Sequence, residues 1–209
     1  WVNLGGAVNH PEAGKAFDIS QHTNEVAKVV DSSVKVVACN GYGDVNILRQ
    51  LIDQEKPDAI IHFTDPRYWI WMYEMENEIR QQIPMVFYTI WDDVPYPMYN
   101  REFYRSDDMH LCISRQTENI VKNVLKDFPK EDWAVKYVPH GINEKQFFPI
   151  INDFEFEAFK ENLLGKEEQD FVVLWNSRNI RRKNPSDIIL SWRLFLDQLP
   201  EEKAKKCTL

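Results

Sequence analysis

The sequence lacks any long apolar run. No stretch approaches the roughly 20 apolar residues that a membrane-spanning helix needs, and no secretory signal peptide is visible. The formal net charge is −8, so the chain also lacks the positive surface of a general nucleic-acid binder. These absences predict a cytoplasmic protein with no nucleic-acid partner. Peripheral contact with a membrane stays open but is not indicated.

Cysteine is also scarce, and the residue patterns of metal and cofactor sites are missing. The chain has three scattered cysteines, Cys39, Cys112 and Cys207, and no C-x-x-C pair. An odd, scattered set is typical of reduced, buried thiols in a cytosolic protein. No H-E-x-x-H, Walker loop or G-x-G-x-x-G is present. The sequence therefore predicts neither a bound metal nor a cofactor.

What the chain does contain is a regular alternation of short apolar runs with helical patterns. The predicted strands are 35–38, 58–63, 85–90, 110–113 and 135–138, and the predicted helices are 43–55, 67–81 and one capped by Ser114. Strands of nearly all apolar residues that alternate with helices favour a parallel sheet covered on both faces. The prediction is an α/β fold with a Rossmann-like, doubly wound sheet.

A change in composition divides the chain. Residues 151–170 are acidic, with a helical pattern and no strand, which predicts a connector after a first domain at 1–150. A strand at 171–175 and a helix at 185–198 then predict the start of a second domain at 171–209. Trp1 falls within a strand pattern and Cys207 opens another, so we expect this sequence to be a segment of a longer protein.

In doubly wound sheets, ligands bind beyond the carboxyl ends of the strands. Two of the loops there carry acids. In TIWDDVPYP, Asp92 follows Trp91 and is suited either to contact a sugar hydroxyl or to cap the next element. In FTDPR, Asp65 either lines the same rim or caps the following helix.

A third loop, VPHGIN, places His140 and Gly141 at the end of a predicted strand. Glycine there permits a positive φ or a close approach of the backbone to a ligand. The histidine would point into the same crevice. The simpler interpretation is a strand-ending turn with a half-exposed histidine.

A fourth loop, WNSRNIRRKNP, gathers four cations in an acidic chain: Arg178, Arg181, Arg182 and Lys183. They precede a predicted helix, whose N-terminus adds free N–H groups and a partial positive charge. Such a set is suited to a diphosphate. A solvated charge run on a surface loop is the alternative.

Taken in order, these segments resemble glycosyltransferase family 4. The segment VPHGINEKQFFP resembles the family's V-P-[NH]-G-[VI]-[DN] stretch with its later F-x-P, which closes the first domain. The segment FVVLWNSRNIRRKN resembles the first strand of the second domain, with its arginine and downstream lysine. The segments KPDAIIHF, IPMVFYTIWD and SDDMHLCISRQTENIV match the order of strands in the first domain.

The resemblance implies a GT-B fold: an N-terminal, acceptor-side Rossmann-like domain and a second one that binds the donor. It implies a hexosyltransferase that moves a sugar from a nucleotide-sugar donor to a sugar, lipid or protein acceptor, with retention and without a metal. Arg178 and Lys183 then match the residues that hold the donor diphosphate, with Arg182 assisting. Asp92 and His140 are the candidate catalytic residues. Gly141, Trp91 and Asp65 shape the cleft.

The chain departs from the family pattern at two places. Trp91 stands where many members have a histidine, and Asn176-Ser177 replaces a common glycine. The resemblance would put a glycine-rich loop before Trp1 and an E-x7-E element after Leu209. Two alternatives stay open: a sugar-nucleotide epimerase or phosphorylase on the same fold, and a non-catalytic module that binds glycans.

Overall fold

The computed structural model describes residues 1–150, 154–165 and 169–209. In it the chain divides into two compact units, Trp1–Asn143 and Glu144–Leu209. The predicted connector 151–170 includes 151–153 and 166–168, which lie outside the described residues.

The first unit contains seven strands in two sheets. The strands are β1 Val2–Ala7, β2 Ala16–Asp18, β3 Lys35–Asn40, β4 Ile60–Phe63, β5 Met85–Thr89, β6 Met109–Cys112 and β7 Val135–Tyr137. One sheet has the order β1-β3-β2, with β1 parallel and β2 antiparallel to β3. The other has the order β4-β5-β6-β7 and is parallel throughout. The predicted α/β class with a parallel, Rossmann-like sheet is confirmed.

Six α-helices belong to the same unit. They are α1 Ser20–Ala27, α2 Val45–Glu55, α3 Ile70–Tyr73, α4 Glu76–Ile79, α5 Arg101–Ser106 and α6 Arg115–Val124, with short 3-10 helices at Pro66–Tyr68, Met98–Asn100 and Asp132–Ala134. Side chains cap two of them. Asp44 accepts from the Asn46 and Ile47 amides at the start of α2, and Ser114 accepts from the Thr117 amide at the start of α6, as predicted.

One face of the four-stranded sheet forms the core. Met85, Phe87 and Thr89 alternate inward along β5 and are at most 2% exposed, as period-two burial requires. Two clusters of buried side chains meet this face. One includes Val121 of α6, and the other includes Leu48 of α2 and Met72 of α3. The opposite face is less buried at β4, where Ile61 and Phe63 are exposed.

The second unit also combines helices with a short parallel strand pair. It contains the helix α7 Phe154–Leu164, the strand β8 Phe171–Val172, a 3-10 helix Arg181–Lys183, the helices α8 Pro185–Leu196 and α9 Glu201–Ala204, and the strand β9 Cys207–Thr208. Strands β8 and β9 pair in parallel. A strand at Cys207 was predicted from the sequence, and so was the helix that starts near Pro185.

The tightest glycine in β1 is Gly6, which gives a first prediction. A Cβ atom at Gly6 would overlap the carbonyl oxygen of Gly41. We expect Gly6→Ala to lower the free energy of unfolding by about 1–3 kcal/mol, the usual range for overpacking. Gly141→Ala is the matched control, because a Cβ at Gly141 meets open space. Urea titration of both variants measures the difference, and equal stabilities would contradict the clash.

Candidate active site

The loops selected from the sequence come together at one edge of the four-stranded sheet. Because β4, β5, β6 and β7 are parallel, their carboxyl ends lie side by side. The loops that carry Asp65, Asp92 and His140 follow β4, β5 and β7 respectively. We call this edge, with its loops 64–69, 90–97 and 138–143, the carboxyl edge.

At this edge, Arg67 contacts both Asp65 and Trp91. Asp65 accepts from the Arg67 amide at 3.0 Å and so caps the 3-10 helix that follows. It also accepts from Arg67 Nε at 2.9 Å, and these bonds hold the pKa of the Asp65 carboxyl below its ordinary value. The Arg67 guanidinium in turn lies over the rings of Trp91, at 5.6 Å, and Tyr99, at 5.5 Å. It is therefore fixed by both charge and ring stacking.

The turn before Asp65 is strained. Thr64 has a φ of +134°, a conformation that a β-branched residue adopts only at high cost. Its hydroxyl accepts a hydrogen bond from Trp69 Nε1 at 3.1 Å. Backbone outliers of this kind cluster at functional sites, so the strain at Thr64 supports the choice of the carboxyl edge.

The main chain around Asp92 is held by the first turn of α6. Thr117 Oγ1 donates to the Trp91 carbonyl at 2.8 Å, and Gln116 Nε2 donates to the Asp92 carbonyl at 2.8 Å. The Asp92 side chain is exposed. No hydrogen bond or ion pair joins its carboxylate to residues 1–150, 154–165 or 169–209. The carboxylate is thus available to a ligand while its backbone is fixed.

His140 lies on an aromatic surface. Its ring stacks on Tyr88 at a centroid distance of 5.2 Å and lies 6.0 Å from Phe63. Tyr88 donates from its hydroxyl to the Val138 carbonyl at 2.6 Å, which ties β5 to the loop of His140. Gly141 has open space around it and no positive φ. A close approach of a ligand at Gly141 therefore stays a prediction.

The four cations lie in the second unit, between β8 and α8. Arg178 is in the loop after β8, and Arg181, Arg182 and Lys183 form the 3-10 helix directly before Asn184 and Pro185. All four cations are exposed. Within the described part of the chain none of them is paired with an acidic side chain. An unpaired cation cluster before a 12-residue helix is electrostatically suited to an anion.

A buried polar chain in the core of the first unit was not predicted from the sequence. His62 Nδ1 lies 3.0 Å from the Tyr73 hydroxyl, which lies 3.2 Å from Asp107 Oδ2. Burial lowers the pKa of His62 to about 4 and raises the pKa of the Asp107 carboxyl well above its ordinary value. The only sequence signals are a histidine within the apolar run IIHF and an acid just before β6. Neither signal indicates its partners.

Among the described residues, no group of three or more histidine, cysteine or acidic side chains could hold a metal ion. No helix in the ranges that the structure describes is both long enough and apolar enough to cross a membrane.

Comparison with known proteins gives a distant structural likeness. No protein-family model and no curated protein matches the chain. A crystal structure of UDP-GlcNAc 2-epimerase from Neisseria meningitidis, bound to UDP-GlcNAc, is similar at a TM-score of 0.45 and 14% sequence identity. The match covers 95% of this chain and 63% of the epimerase chain, so this chain spans less than two thirds of that protein.

Proposed function

We propose that this chain belongs to a glycosyltransferase of the GT-B, family 4 type that transfers a hexose from a nucleotide-sugar donor. The acceptor is a sugar, a lipid or a protein, and the reaction proceeds with retention, without a metal, in the cytoplasm. The observation that carries this proposal is the cluster of cations without acidic partners at the start of α8.

The chemistry of sugar transfer explains why such a cluster would be useful. As the bond to the sugar breaks, the leaving nucleoside diphosphate gains negative charge. Cations already in place stabilise that charge where a metal would otherwise be needed. Arg178 offers a bidentate guanidinium and Lys183 a compact ammonium. Arg182 lies beside Lys183 and assists.

The carboxyl edge of the first unit carries the other residues that we assign a role. Asp92 has a free carboxylate on a fixed backbone, which suits it to contact the transferred sugar or the acceptor. His140 and Gly141 form the neighbouring wall, with aromatic rings that can stack on a sugar face. Trp91 and Asp65 are joined through Arg67 and shape the rim.

Affinity for a nucleoside diphosphate tests the donor assignment. In the intact protein we expect Arg178→Ala and Lys183→Ala each to weaken the binding of UDP or GDP about tenfold, because each removes a charge-assisted hydrogen bond. Arg193→Ala is the matched control. Arg193 also lies on α8, but it pairs with Asp197 near the other end, so its loss should leave affinity unchanged.

Isothermal titration measures these affinities, and a labelled donor then reports whether the sugar is transferred. Equal affinity in wild-type protein and in both variants would remove the diphosphate assignment. Formation of an epimerised sugar nucleotide instead of a transfer product would assign the protein to another class of enzyme.

A further inference from the structure

Four aromatic side chains at and beside the carboxyl edge form an exposed surface. They come from the segments that follow β3, β4 and β5, and we call them the aromatic platform: Tyr42, Tyr68, Trp91 and Tyr99. The three tyrosines are 44%, 56% and 61% exposed, in chain order, and Trp91 is half-buried. Exposed apolar area that is gathered in one place marks an interaction site, whereas single exposed rings do not.

Contacts within the aromatic platform fix its rings. Tyr42 and Tyr68 are stacked, with centroids 4.8 Å apart and planes 9° apart. Trp91 meets Tyr99 edge to face at 5.9 Å, and the Arg67 guanidinium lies over both of these rings. A ligand that binds rings already held in place pays little for ordering side chains.

Hydrogen-bonding groups lie next to these rings in the chain. Arg67 uses Nε and Nη2 for Asp65, and its Nη1 donates to no group within the described residues. The Arg67 side chain is 51% exposed, so Nη1 can reach a ligand. The carboxylate of Asp92, beside Trp91, is exposed as well. Sugars need this combination, because their C–H faces pack on aromatic rings and their hydroxyls pair with charged groups.

The charge of the carboxyl edge selects among possible ligands. Its loops 64–69, 90–97 and 138–143 carry three carboxylates and one arginine: Asp65, Asp92, Asp93 and Arg67. The nearby Arg115, at the start of α6, is paired with Glu118. The surplus of negative charge repels an anionic ligand, such as a phospholipid head group or an acidic saccharide. A neutral saccharide meets no such repulsion.

We propose that the aromatic platform binds a neutral saccharide and that this saccharide is the acceptor. The role as acceptor rests on the proposed function, whereas the binding site stands on the geometry of the first unit. The proposal selects one of the three acceptor classes. An acyl chain would gain nothing from Arg67 Nη1 or the Asp92 carboxylate, but a sugar hydroxyl can pair with each of them.

Titration of the intact protein with maltohexaose, cellohexaose and mannohexaose tests the site. We expect at least one of these neutral hexasaccharides to bind with a dissociation constant in the millimolar range or below. Tyr68→Ala and Tyr99→Ala should each weaken that binding about three- to tenfold, because each removes a stacking ring. Tyr99→Phe should retain the affinity, since the ring remains. Isothermal titration measures all of these affinities.

Trp133→Ala is the matched control. Trp133 is 61% exposed, as Tyr99 is, but it lies in the 3-10 helix that precedes β7. It therefore belongs to the opposite, amino edge of the sheet. Its loss should leave the affinity for the hexasaccharide unchanged.

Three results would overturn the proposal. None of the hexasaccharides could show saturable binding. Trp133→Ala could weaken binding as much as Tyr99→Ala, which would mean that any exposed ring suffices. Vesicles of phosphatidylglycerol could bind in place of the saccharides and lose affinity in Tyr99→Ala, which would assign the aromatic platform to a lipid.

The outcome is separable from that of the proposed function. Saccharide binding without any sugar transfer would support the site and contradict the transferase. Transfer to a lipid or protein, with no saccharide binding, would contradict the site and support the transferase.

Discussion

Replacement of Phe87 by alanine is expected to lower the free energy of unfolding by about 3–5 kcal/mol, the range for loss of a buried phenylalanine ring. Phe87 is 2% exposed and lies on β5, one of the two inner strands of the parallel sheet. Its ring stacks on His62 at 4.6 Å and lies 5.8 Å from Tyr104 and 6.0 Å from His110. The cavity left by alanine would therefore border three buried rings.

Phe128→Ala is the control for this loss. Phe128 belongs to the same unit but is 46% exposed, and its ring contacts the Arg105 guanidinium. Its removal should cost less than about 1 kcal/mol, the scale of an exposed cation–π contact. Chemical denaturation followed by circular dichroism measures both variants. A Phe87→Ala loss no larger than that of Phe128→Ala would show that the ring is not central to the core.

Acid should destabilise the first unit, and two buried histidines should cause much of the effect. Burial lowers the pKa of His62 to about 4 and that of His110 to about 3, against about 6.5 in an unfolded chain. From pH 6.5 down to about 4, the unfolded chain therefore binds protons that the folded chain does not. Each histidine lowers the free energy of unfolding by about 1.4 kcal/mol per pH unit in this window.

Asp107 acts in the opposite direction. Burial raises the pKa of its carboxyl in the folded protein. The contribution of Asp107 to the free energy of unfolding is therefore complete below the pKa of the unfolded chain, near 3.9. That contribution is lost as the pH rises through the pKa of the folded protein. In acid it therefore works against the two histidines. The net expectation is a loss of stability between pH 6 and pH 4.5, because two histidines act against one carboxyl.

His110→Gln isolates one histidine. The variant should reduce the slope of stability against pH by about 1.4 kcal/mol per pH unit between pH 6 and 4.5. His22→Gln is the control, because His22 is exposed on α1. Urea titrations at several pH values provide the slopes. An unaltered slope in His110→Gln would mean that His110 does not remain neutral in the fold.

Local patterns allowed the strands and several loops to be predicted, because apolar runs and capping residues act within a few positions. Examples are the run at β5 and the cap at Ser114. Since parallel strands end at one edge, the sequence also placed Asp65, Asp92 and His140 together. Whether they act with the cations of the second unit stays a prediction.

Features that depend on long-range packing were not predicted. The expected helix at 67–81 is instead a 3-10 turn followed by α3 and α4, because Trp69 and Met75 leave helical geometry at the junctions. The short antiparallel strand β2 has no clear apolar alternation and was missed. The contact of Arg67 with Trp91 and Tyr99 joins residues 24 and 32 positions apart, beyond the reach of any local pattern.

The attachment of loop 90–97 to α6 leaves the side chain at position 92 free to vary. The side chains of Thr117 and Gln116 donate hydrogen bonds to the backbone carbonyl oxygens of Trp91 and Asp92. Every amino acid has this backbone carbonyl group. The exposed side chain at position 92 can therefore be exchanged while the path of the loop persists. Descendants of this protein could accept new substrates at position 92 without rebuilding the scaffold that presents it.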